Sequence, residues 1–150
     1  MRSSLCYSDS MGVFHFFDHI ADVGMEVKAE SAADLFLTAG LGLMQWIGSP
    51  PPTRLTHESA VDVAAEDMDS LLVGWLQELL YRFYHLHLYL VDAPAFELDV
   101  DQPRVKAVLR EKFWEQSLSH RYREVKAVTY HKLKIERDDA GWRASVILDI

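Results

Sequence analysis

Leu71, Leu72, Trp75, Leu76, Leu79, Leu80 and Phe83 recur at the spacings of one broad helical face. A stripe this wide has the period of an α-helix and has to be covered by a second layer. The predicted helix runs to about Tyr84, with Asp67 or Asp69 as its N-cap. Its aromatic residues read as core rather than as a cofactor box. A second helix is predicted over Ala32–Ile47. Ser31 caps it with Asp34 three residues on, and Gly48 lies past its end. Leu35, Phe36, Ala39, Leu43, Trp46 and Ile47 share its apolar face. Gly40 and Gly42 fall inside this helix and follow no strand-to-helix turn, so they read as close packing, not as a phosphate loop.

The rest of the chain alternates with the period of strands. Val13–Phe17 is one, and Val23, Met25 and Val27 alternate with Gly24, Glu26 and Lys28 in the next. Ser49-Pro50-Pro51-Pro52-Thr53 is a stiff connector. Strands are predicted over Leu55–Val63, Leu88–Val91, Ala95–Val100 and Val105–Leu109, with Glu111–Arg123 irregular or a short helix. From Val125 to Ile135 the odd-numbered residues share one parity. Asp138-Asp139-Ala140-Gly141 then turns the chain into a closing strand, Trp142–Asp149. These elements predict an α+β fold. A mixed, largely antiparallel sheet carries two amphipathic helices, with the N- and C-terminal strands close together. At 150 residues the chain is read as one domain over 13–150, preceded by a flexible extension over 1–12.

Between the first two strands lies Asp18-His19-Ile20-Ala21-Asp22, which puts two carboxylates and an imidazole into one connection. By itself this is either a solvated turn or a functional loop. Glu78 is either solvated or aimed at a sheet edge, and the cluster His120, Arg121, Arg123 is either a solvated loop or a partner contact. His85 and His87 are spaced to share a strand face, but no zinc-spaced ligands accompany them. There is no Gly-x-Ser-x-Gly, Walker loop or GxGxxG after a strand. A net charge of −8 argues against direct nucleic-acid binding. The single Cys6 excludes an internal disulfide and fits a reducing, cytoplasmic setting. No apolar run has the length of a membrane span.

Four strings in order resemble the archease family: Asp18–Asp22, Trp75–Leu80, Glu124–His131 and the final Leu148-Asp149-Ile150. The resemblance runs from about Met11 to Ile150, with Ile20 where the family usually has threonine. It implies a metal site formed by Asp22, Asp149 and the terminal carboxylate of Ile150. Such oxygen ligands suit a hard divalent cation, Ca²⁺ first, with Mg²⁺ or Mn²⁺ as alternatives. Without a cation, three negative groups in one pocket would repel one another. The resemblance also implies that Lys126 is needed for activity, and it places His19 and His131 near the same pocket, where each is as readily a structural histidine. Asp18 completes the candidate set.

The function implied is that of a protein cofactor, not a stand-alone enzyme. It would activate an RtcB-type RNA ligase by promoting its guanylylation from GTP, and so support multiple turnover in tRNA splicing and RNA repair. One alternative is a small metal-dependent hydrolase or nuclease using Asp18, Asp22 and Asp149. Another is a chaperone-like binding module without metal chemistry.

Overall fold

The computed structural model describes the backbone of residues 3–7, 12–19 and 22–150, and the side chains of 12–18 and 22–150. The chain is α+β, as the sequence predicts, but its strands form two sheets rather than one. Strands β1 (Ser3–Tyr7), β2 (Gly12–His19), β3 (Asp22–Ala29), β7 (Ala127–Asp138) and β8 (Gly141–Asp149) make a five-stranded sheet in the order β1-β2-β3-β8-β7. Strands β4 (His57–Ala64), β5 (Leu88–Asp99) and β6 (Arg104–Phe113) make a three-stranded sheet in the order β4-β6-β5. Every pairing is antiparallel. Within the span read as an N-terminal extension, β1 pairs with β2, while residues 8–11 lie outside the described set. The Ile20-Ala21 turn of the polar connection also lies outside it.

Helices α1 (Ala32–Ile47) and α2 (Met68–His85) lie between the sheets, each touching strands of both. For α1 this corrects the amphipathic reading. Leu35 to Met44 is buried without a break, because a helix covered on two sides needs apolar residues all round. Its start is the predicted one, with the Asp34 amide donating to the Ser31 hydroxyl. Gly40 and Gly42 permit the close approach. A Cβ on Gly40 would come within 2.8 Å of Leu79, and one on Gly42 within 3.0 Å of the Phe14 ring. Asp67 caps α2, accepting from the Ser70 amide at 2.7 Å. That hydrogen bond holds the Asp67 carboxyl below its ordinary range. Asp67→Ala is expected to lower stability, read as a small fall in the thermal midpoint.

Three other elements differ from the sequence reading. The two strands predicted over Leu88–Val91 and Ala95–Val100 are one strand, β5, with register shifts around Asp92 and Ala95. Pro94 sits in that irregular stretch, one of the few places a sheet accepts proline. Glu111, assigned to an irregular stretch, belongs to β6 and is fully buried. The parity of β7 switches along its length. Five steps of β7, Thr129 to Lys134, span the two steps of β8 from Ile147 to Ser145, and Lys132 takes a φ of +52°. Val128 therefore reaches the core before this bulge, and Leu133 and Ile135 pack on it afterwards.

No helix among the described residues is long and apolar enough to cross a membrane.

Candidate functional site

Strands β3 and β8 pair so that Asp22 lies directly opposite Asp149, and Asp149 lies opposite Ala127 of β7. Residues 127 positions apart in sequence are thus neighbours in one row. Directly opposed side chains on a sheet have Cβ atoms about 5 Å apart, and like charges in such a pair are destabilising. Both carboxylates are half-buried, and Ile150 follows at 38% exposure. Two facing carboxylates are an oxygen donor pair of the kind a hard cation takes. No group of three His, Cys, Asp or Glu side chains suited to a metal occurs among the described residues, so a carboxylate pair would need the chain-end carboxylate as its third anionic group.

The local sequence explains the row. Val23, Met25 and Val27 turn to the core, which leaves Asp22, Gly24 and Glu26 on the outer face. In β8, Ala144, Val146 and Leu148 turn inward, leaving Ser145, Ile147 and Asp149 outward. Gly24 is required here by close approach. The Phe17 ring lies over it, and an added Cβ would overlap that ring.

The other candidate residues are distributed around this row. His19 pairs with Asp22 in the ladder, and its side chain lies outside the described set. Asp18 pairs instead with Val23, whose partner across the sheet is Leu148. Its register is therefore that of the core-facing row, not of Asp22 and Asp149, so β2 and β3 do not array all three aspartates on one face. His131 is exposed and lies inside the β7 bulge, away from the Asp149 position. Lys126 is exposed, and its amide donates to the Asp149 carbonyl at 2.7 Å, which puts it beside Ile150.

Helix α2 holds the chain on both sides of Lys126, at Val125 before β7 and at Val128 within it, a role the sequence did not disclose. Gln77 Nε2 donates to the Val128 carbonyl at 3.4 Å, and the Val125 amide donates to the Tyr84 hydroxyl at 2.8 Å. Burial pushes the Tyr84 phenol above its ordinary value. Glu78 is half-buried rather than solvated, 3.5 Å from Arg82. Arg82 in turn holds Glu111 bidentately, with two bonds of 2.8 Å, and Ser59 donates to the same carboxylate at 3.0 Å. The Glu111 carboxylate raises the Arg82 pKa above its ordinary value. This buried network joins α2 to the three-stranded sheet, and only the contact order, not the sequence period, would have revealed it.

Of the basic cluster, Arg123 has a structural role, while His120 and Arg121 are exposed. A 3₁₀ turn spans Gln116–Arg121. Arg123 lies over the Trp46 ring at 4.4 Å and its amide donates to the Ile47 carbonyl. Tyr122 packs among Phe83, Tyr89 and Trp114. His85 and His87 do not share a strand. His85 ends α2 and stacks on Tyr81, while His87 stacks on Trp114 at 4.5 Å.

Comparison with known proteins places this architecture. Residues 14–150 match the model of the Archease protein family (MTH1598/TM1083). The chain is 32% identical over 147 residues to Protein archease of Methanosarcina mazei, covering 91% of this chain and 95% of that one. It is 32% identical over 144 residues to Protein archease of Saccharolobus solfataricus, covering 93% of this chain and all of the relative. The solution structure of Methanobacterium thermoautotrophicum protein 1598 superposes with a TM-score of 0.69 at 30% identity, covering 91% of this chain and 98% of that one.

Proposed function

The chain belongs to the archease family, and from that premise we propose that it is a protein cofactor of an RtcB-type RNA ligase, acting in the cytoplasm in tRNA splicing and RNA repair. It promotes guanylylation of the ligase from GTP and does not join RNA itself. The observation that carries the reading is the family match over residues 14–150, together with the opposition of Asp22 and Asp149 beside Lys126.

In this reading Asp22, Asp149 and the terminal carboxylate of Ile150 hold a divalent cation, Ca²⁺ before Mg²⁺ or Mn²⁺, because the donors are all oxygen. A cation held there would supply positive charge against the carboxylates of the row. Lys126 is held at a fixed height by Gln77, Tyr84 and the Asp149 carbonyl, and its ammonium group is free to orient a phosphate or an acidic ligase residue. His19, paired with Asp22, is the contact candidate at the margin of this surface, whereas Asp18 and His131 lie off the row. The hydrolase reading is less well supported, since Asp18 has the register of the other face.

Lys126→Ala is expected to fold normally, because an exposed lysine adds little to the core. It is expected to activate the ligase poorly. Full activation by this variant, assayed as guanylylated ligase per unit time, would remove Lys126 from the functional surface. The reading as a whole is tested by assaying the ligase with and without this protein, and the protein with RNA and GTP alone. Turnover of RNA or nucleotide without ligase would favour the hydrolase instead.

A further inference from the structure

Beyond the cation row, the outer face of the five-stranded sheet carries a second feature. A groove of about 350 Å³ is lined by Lys28, Lys132, Lys134 and Arg143, with the Ser145 hydroxyl and Glu26 among them. Four cations in one groove are conspicuous on a chain of net charge −8. Three of the nearby charges are already matched. His15 lies 2.7 Å from Glu26, Lys134 lies 3.0 Å from Glu136, and Arg143 lies 2.6 Å from Asp138. Lys28 and Lys132 are exposed and make no ion pair among the described residues.

The backbone supplies an independent observation. Lys132 sits in the β7 bulge with a φ of +52°, a left-handed conformation that a side-chain-bearing residue adopts at a cost. Strain of this kind is retained where the surrounding structure fixes it, commonly at functional surfaces. Lys132, inside this bulge, lines the groove. The groove is also continuous with the candidate site. Glu26 and Ser145 form the same kind of opposed pair as Asp22 and Asp149, four residues further along β3, or about 13 Å. Between the two lies an apolar saddle, the Phe17 ring over Gly24 beside the buried Ile147.

We propose that this groove binds an extended acidic segment of the protein partner, lying along the outer face of the sheet over Lys28 and Lys132. Spaced carboxylates can meet the two unpaired lysines and avoid Glu26 and Glu136. A continuous phosphate backbone, with a charge at every unit, would meet those acids as well. The partner's identity as a ligase rests on the proposed function, whereas the basic chemistry of the groove does not.

The test uses the full chain titrated with an octaglutamate peptide and, separately, with an oligouridylate of equal charge, at low and high salt. The intact protein is expected to bind the peptide at low salt and to release it as salt rises. Lys28→Glu with Lys132→Glu is expected to weaken peptide binding at least about tenfold, from two lost attractions and two new repulsions. Lys132→Gly relieves the positive φ and removes one charge, so it is expected to keep its melting temperature and still bind several-fold more weakly. Peptide binding that is absent in the intact protein, or equal in all three proteins, would overturn the proposal, as would tighter binding of the oligouridylate. None of these arms contains ligase, so failure here is separable from failure to activate one.

Discussion

Replacing Trp75 with alanine is expected to lower the stability of the whole domain by about 3–5 kcal/mol. Trp75 is fully buried in the middle of α2, its indole N–H donates to the Phe36 carbonyl at 2.8 Å, and its ring meets Phe96 edge-on at 5.2 Å. The side chain therefore ties α2 to α1 and to the three-stranded sheet at once. Removal leaves a cavity between the two layers and takes away the indole's bond to the Phe36 carbonyl, and the cavity cannot be filled without moving a helix. Domains of this size have only about 5–15 kcal/mol in total, so the loss should appear as a large fall in the denaturation midpoint. An unchanged urea or thermal transition would show that Trp75 is not the junction described.

Loss of ligase activation is the larger functional effect, expected from two changes at the other end of the chain. Asp149→Ala removes one carboxylate of the opposed pair. A C-terminal extension turns the Ile150 carboxylate into a neutral amide carbonyl and continues the chain through the site. Hard-cation affinity depends on the number and charge of oxygen ligands, so both changes should weaken cation binding. Both should leave the fold intact, because Ala144, Val146 and Leu148 still hold β8 in the core. Asp149→Ala even relieves the repulsion across the β3–β8 pair. The expected result is a normal melting curve without added metal and little further rise when Ca²⁺ is added, whereas the unmodified protein is stabilised by it. An extension at the N-terminus is expected to be harmless by comparison. Calorimetric cation titration checks all three proteins. Undiminished affinity in the C-terminally extended form would remove the terminal carboxylate from the ligand set.

The helices were the most legible part of the sequence because their signals are local. Ser31 and Asp67 cap the predicted starts, and the Leu71–Phe83 stripe is the buried face. What escaped was non-local. Whether strands make one sheet or two depends on partners far apart in the chain, and no period encodes that. The all-round burial of α1 has the same origin, since its second covering layer arrives with β5. The β7 bulge hides in a run whose alternation looks unbroken, because Lys132 is not a residue type that announces a positive φ. Glu111 reads as a surface acid until Arg82 and Ser59 are seen beside it. For the candidate site, residue chemistry alone offered two aspartates at opposite ends of the chain. The family resemblance joined them, and the β3–β8 register puts them side by side.

The most direct measurement is the rate of ligase guanylylation from GTP, with this protein added at a fraction of the ligase concentration and divalent metal titrated. The expected result is faster guanylylation and continued RNA joining beyond one turnover per ligase, with no RNA joining by this protein alone. Asp149→Ala is expected to support neither effect. A guanylylation rate and turnover number that are the same with and without the protein, at every metal concentration, would contradict the proposed function.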